Sequence, residues 1–274
     1  MPGNHRRDAF PSVAQAAVLL VVGFFLQYFV TAALYDVRAW LDLSKNQIDA
    51  LVMILANGAV LAFVVHHRGM TYRDLLHPSR SSALTTLVLL VPPVLLLVPA
   101  ILLLDGALVA GLEQVFPLSL WEEQAFANMA SGTVAATISA CVLAPVLEEM
   151  LFRGVLLRAF LVAHPRWAAI SYSALFFGVA HFNIYQFALA ALLGLLLGWL
   201  FERSRSLIPC IALHAALNSW VVASEVQGEG AARSFERAVS VSWLFALPAA
   251  AVGALWLRRL LSARRPGPVS TDKT

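Results

Sequence analysis

Three ionisable side chains stand inside an apolar run where each is expensive. In CVLAPVLEEMLFRGVLLR, residues 141–158, Glu148 and Glu149 are adjacent and Arg153 follows. A charge at the centre of a bilayer costs at least ~2.5–3.5 kcal/mol, so three together imply a purpose. Glu149 and Arg153 are four apart, on one helix face, and can pair. Glu148 is turned about 100° from Glu149, which leaves it free for other work. Pro145 lacks a backbone donor, and in regular α geometry this frees the carbonyl of Cys141 and admits a polar neighbour near Glu148.

Two histidines share this setting. Five of the seven, His5, His66, His67, His77 and His164, lie in polar flanks, whereas His181 and His214 interrupt apolar helices. Asn218 follows His214 by one turn, and Phe177 precedes His181 by one turn, so each pair shares a face. A carboxylate, imidazoles and an amide are the groups that hydrolysis of an amide needs: a base for water and donors for the developing oxyanion. Counting ~1.5 Å per residue, Glu148, His181 and His214 lie about 15, 21 and 9 Å from the cytoplasmic ends of their helices. That scatter surrounds the midplane of a core about 30 Å thick.

The elements that must carry these residues are membrane helices. Hydrophobic residues make up 60% of the 274-residue chain and charged ones 13%, against about 45–50% and 25% in soluble domains. The composition implies an all-α, polytopic membrane helical bundle of about eight transmembrane helices, at 16–35, 48–65, 83–104, 133–157, 167–182, 186–201, 208–224 and 239–257. Pro92-Pro93 predicts a kink in the third. Residues 113–132, with Trp121, Phe126 and Met129 against Glu122 and Glu123, read as an interfacial amphipathic segment. Residues 1–15 form a cytoplasmic tail, 16–261 one transmembrane domain with its core at 133–224, and 262–274 a disordered cytoplasmic tail. Fourteen of the 19 basic residues fall on flanks that place both termini in the cytoplasm. The net charge of +3 is thus explained by topology, with no nucleic-acid partner. The first apolar run loosely imitates a signal peptide but is long and aromatic, and it reads as a span. Cys141 and Cys210 lie in apolar helices and read as structural thiols. Gly194 and Gly198 form a small-xxx-small pair that predicts close helix packing.

Taken in order on separate helices, Glu148-Glu149-x-x-x-Arg153, Phe177-x-x-x-His181 and His214-x-x-x-Asn218 resemble the CPBP family. That family comprises the type II CAAX prenyl-protein endopeptidases and the bacteriocin-processing intramembrane proteases. The resemblance spans about residues 133–224. It implies an intramembrane endopeptidase that cleaves a membrane-anchored peptide: a CAAX-type tail, a leader peptide or a sorting signal. Glu148 would activate water with help from His181, His214 and Asn218 would donate to the oxyanion, and Glu149, Arg153 and Phe177 would support the site. No cofactor is required in this reading. The alternative is one divalent metal such as zinc on Glu148, His181 and His214, although the H-E-x-x-H helix of many zinc proteases is absent. Scarce lysine beside abundant arginine suggests a bacterial chain, hence a multi-pass protein of the inner membrane. Two other functions share these features: a non-catalytic scaffold or immunity protein of the same fold, and a proton-coupled transporter.

Overall fold

The computed structural model describes residues 9–120, 122, 124, 132–226 and 230–262, with side chains left undescribed at 225–242. Among the described residues ten helices follow one another: α1 (Val13–Leu41), α2 (Lys45–Arg68), α3 (Tyr72–Leu76), α4 (Ala83–Leu95), α5 (Val98–Glu113), α6 (Val134–Ala163), α7 (Arg166–Val179), α8 (Ile184–Ser204), α9 (Ile208–Val226) and α10 (Gly230–Ser262). No strand occurs among the described residues. Part of the interfacial segment falls outside them, including Trp121, Glu123, Phe126 and Met129, as do residues 1–8 and the tail at 263–274.

Local chemistry sets several helix boundaries. Ser12 caps α1 and Ser44 caps α2, each in a reciprocal capping box with a glutamine three residues on. The chain leaves α2 through Gly69 at φ 63°, a left-handed position that glycine adopts without penalty. Asn183 caps α8 by accepting from the Gln186 N–H. The expected bend is present but falls after the Pro92-Pro93 pair, which lies inside α4: α4 and α5 meet at 45° across Leu96–Leu97, just before Pro99.

All eight expected spans fall on helices, but length and apolarity together carry fewer than eight crossings. Among the described residues, α1, α2, α6, α8 and the Trp243–Ser262 part of α10 are each long and apolar enough to cross a membrane. The bent pair α4–α5 makes a sixth. Helix α7 has 14 residues, about 21 Å, and the apolar stretch Ile208–Ser224 of α9 is also short. A crossing takes about 20 residues, with a range of about 17–25, so α7 lacks the length of a regular span while α9, at 19 residues, just reaches it.

Helix α6 is the central rod. From Met150 to Leu157 every side chain is buried, the pattern of a helix enclosed by others on all faces. It contains two π-helical stretches, Ser139–Leu143 and Met150–Leu157, on either side of the two glutamates. Such widened turns recur where a side chain must be re-aimed at a functional site. Below it, the short α3 tucks in: Leu75 is fully buried against Gly154, and Arg158 donates to the Asp74 carbonyl at 2.8 Å.

Helices α7 and α8 pack closely, as the glycine pair predicts. A Cβ at Gly194 would lie 2.8 Å from Ala174 Cα, and one at Gly198 would lie 3.0 Å from Ile170 Cγ2. A backbone atom cannot swing away as a side chain can. Gly194→Val therefore forces α7 and α8 apart and costs about 1–3 kcal/mol, read as a lower thermal midpoint in detergent. Gly58 has nothing within 4 Å of its added Cβ, and Gly58→Ala leaves the midpoint unchanged or higher.

Candidate active site

The site is built from the break in α6. Ala144 N–H reaches back five residues to the Ser139 carbonyl. In that wider register the partner due to the Ala140 carbonyl is the nitrogen of Pro145, which has no hydrogen. Asn218 takes the vacancy: its Nδ2 donates to Ala140 O at 2.8 Å. Proline does free a carbonyl for a polar neighbour, but it is Ala140 and not Cys141, because the turn is π-helical. The bond ties α9 to α6 one turn before the glutamates.

The charged groups form one chain. Arg153 Nη1 donates to Glu149 Oε1 at 2.8 Å, with both side chains fully buried. His214 Nδ1 meets the same Glu149 oxygen at 3.1 Å, and its Nε2 stands 3.8 Å from Glu148 Oε2. The first is a hydrogen bond. The second is too long for one and leaves a gap between imidazole and carboxylate. A carboxylate oxygen here accepts, so Nδ1 of His214 carries a proton and Nε2 faces Glu148. The pairing of Glu149 with Arg153 that the spacing predicts is present, and Glu149 also orients His214.

Phe177 holds these parts together. The Arg153 guanidinium carbon lies 4.2 Å from the centre of its ring, a cation–π contact that compensates a buried cation left short of acceptors. The edges of both imidazoles meet the same ring, His181 at 5.2 Å and His214 at 5.6 Å between centroids. His181 Nδ1 bonds the Phe177 carbonyl at 2.9 Å. A carbonyl only accepts, so Nδ1 holds the proton and the lone pair of a neutral His181 sits on Nε2.

One cavity of about 530 Å³ receives both Glu148 and His181. The two carboxylates differ sharply: the Glu148 side chain is 31% exposed and that of Glu149 is 0%. Glu148 is thus the one that opens to the cavity, and Glu149 belongs to the frame. His214 joins Glu148 from the buried side. Asn218 touches the site through Ala140.

Some contributors carry no motif. Ser173 is buried and donates to the Phe152 carbonyl at 2.9 Å, fastening α7 to α6. Gln27, Thr31, Asp49 and Asn57 bring polar groups from α1 and α2 to the cavity wall. Gln27, Thr31 and Asn57 signal themselves in the sequence only as lone polar residues in apolar runs, and Asp49 sits in the polar start of α2.

The donor types of Glu148, His181 and His214 suit zinc, but their placement does not. Among the described residues no three of His, Cys, Asp and Glu converge as a metal-binding group. The Nδ1 atoms bond Glu149 and the Phe177 carbonyl and leave both Nε2 atoms open, as in zinc-ligating histidines. The misfit therefore lies in the placement of the three groups alone.

Residues 130–220 match the family model described as Type II CAAX prenyl endopeptidase Rce1-like. The Rce1-like segment takes in all seven motif residues, from Glu148 to Asn218, and agrees with the resemblance read from those motifs. It leaves α1 and α2, the far wall of the cavity, outside the match. No curated protein and no solved structure matches the chain. The match makes the helices from α6 to α9 similar to a CAAX-type endopeptidase, and the apolar helices are those of an integral, multi-pass membrane protein.

The frame can be tested apart from activity. Arg153→Met strands Glu149 without its cation and lowers stability by about 3–5 kcal/mol, seen as a fallen thermal midpoint in detergent. Replacing both partners, Glu149→Gln with Arg153→Met, recovers most of that loss. An unchanged midpoint in the single variant contradicts a structural pair.

Proposed function

We propose that this protein is an intramembrane endopeptidase that hydrolyses a peptide bond of a membrane-anchored substrate with water activated by Glu148. The observation that carries the reading is the shared cavity of Glu148 and His181, with Glu148 the more open of the two carboxylates.

In this mechanism water lies between Glu148 and Nε2 of His181, both able to accept its protons. Glu148 takes one proton as the oxygen attacks the scissile carbonyl. The resulting oxyanion is received by Nε2–H of His214 and by an Nδ2–H of Asn218. Since Nδ1 of His214 already donates to Glu149, His214 donates from Nε2 as an imidazolium. Asn218 spends one Nδ2 proton on Ala140 and keeps the other. Collapse of the tetrahedral intermediate breaks the C–N bond, and Glu148 returns its proton to the departing amine. Each donor aimed at the oxyanion in a low-dielectric site is worth roughly 10²–10³ in rate.

No metal is part of this scheme, because the ligand atoms do not converge. The substrate is a CAAX-type tail, a leader peptide or a sorting signal, and the protein resides in a bacterial inner membrane with both termini in the cytoplasm.

Protein reconstituted in liposomes with internally quenched, membrane-anchored peptides tests the reading. The panel holds a farnesylated CAAX-type tail and a lipid-anchored leader peptide. Glu148→Gln lowers turnover by about 10²–10⁴ with its thermal midpoint kept. Turnover retained in Glu148→Gln, or cleavage of no peptide by the wild type, overturns the reading. Protein treated with chelator and shown by elemental analysis to hold no stoichiometric metal keeps its turnover. Loss on chelation with recovery on zinc would restore the metal scheme.

A further inference from the structure

A peptide must be extended to be cut, and an extended peptide inside a bilayer exposes N–H and C=O groups that cost several kcal/mol each when unpaired. An enzyme that works there has to supply partners for them. The motif residues are occupied with the scissile bond. The opposite wall, from α1 and α2, has its own polar groups at matching depth.

Gln27 is the fifteenth residue of the 29-residue α1, and Asn57 the thirteenth of the 24-residue α2. Glu148 is the fifteenth of the 30 residues of α6. All three thus lie near the midpoints of their helices and line one cavity. On α1 the stripe Leu20, Phe24, Gln27 and Thr31 faces that cavity with helical spacing. Gln27 makes no side-chain hydrogen bond among the described residues, so a donor and an acceptor are both open at membrane depth. Asn57 uses Nδ2 on the Met53 carbonyl at 3.0 Å, which leaves its Oδ1 as an acceptor. One apolar window of α1 is only 6% buried, against 39% for α6, so α1 is a thin outer wall between cavity and lipid.

We propose that Gln27 and Asn57 bind the main chain of the substrate, holding an extended segment beside the scissile bond. Gln27 pairs with a peptide C=O and N–H, and Asn57 Oδ1 accepts from a neighbouring N–H. Recognition of this kind reads backbone and not side chains. The substrate class is therefore a segment that can unwind at the membrane midplane, of tolerant sequence next to the cut. The inference rests on the endopeptidase reading, and its failure is separable from that of the reading.

The experiment uses the peptide from the liposome panel that the wild type cleaves fastest, and versions of it N-methylated one position at a time on either side of the scissile bond. Methylation removes a backbone donor and leaves the side chains alone. Gln27→Met is expected to lower kcat/KM on the parent peptide by roughly three- to tenfold, mainly through KM, with the thermal midpoint kept or raised because an open amide is gone. On one peptide N-methylated away from the scissile nitrogen, the same variant loses less than on the parent, because the N–H that Gln27 accepts from is already gone and only its C=O pairing is left to lose. Gln27→Asn, with the same groups on a shorter stem, loses less than Gln27→Met and serves as the second variant. An equal loss on parent and methylated peptides, or no loss on either, overturns the clamp. If Glu148→Gln keeps its turnover, the endopeptidase reading itself falls. If Glu148→Gln is dead while Gln27→Met is unaffected, only the clamp falls.

Discussion

A fully buried carboxylate and guanidinium, Glu149 and Arg153, govern the arrangement of everything near them. Two charges removed from water repay their desolvation only with good geometry and further partners. Here those partners are His214 on the carboxylate and the Phe177 ring under the guanidinium. Satisfying the pair therefore brings α7 and α9 to α6 in one orientation. His181 and His214 then meet the same phenyl ring, and their directions follow. The pair is the reason that polar groups from three helices face one another and not lipid.

A second constraint works through the backbone. Pro145 leaves the π-helical turn without a donor, and Asn218 supplies one from α9. The 100° step between neighbours in the α-helical stretch Ala144–Glu149 places Glu148 and Glu149 in different surroundings. One faces a cavity and the other is sealed. This division lets a single helix provide both the frame and the group that opens to the cavity.

The expensive features were the legible ones. Charges and imidazoles in apolar helices have few acceptable environments, so Glu148, Glu149, Arg153, His181 and His214 could be named from type and spacing. Gly194 and Gly198 announced the α7–α8 contact for a similar reason, since nothing larger fits against Ala174. Less was visible where the usual period fails. A reading at 3.6 residues per turn assigns the freed carbonyl to Cys141, and the π-helical turn moves it to Ala140. The short α7 was visible as 167–182 between Pro165 and Asn183, and the helix ends three residues earlier, at Val179. Single polar residues such as Gln27 and Asn57 form no motif, and only the packing of α1 and α2 against α6 brings them to the cavity.

The central claim is that Glu148 and His181 open onto one wet pocket. In a background with Cys141 and Cys210 replaced by serine, the double variant Glu148→Cys with His181→Cys can be treated with a short, water-soluble, bifunctional thiol reagent. The account predicts that both thiols react and that one reagent molecule joins them within a single chain, seen as an intramolecular crosslink by mass spectrometry. Two thiols that stay inert, or that react separately and are never joined, would contradict it.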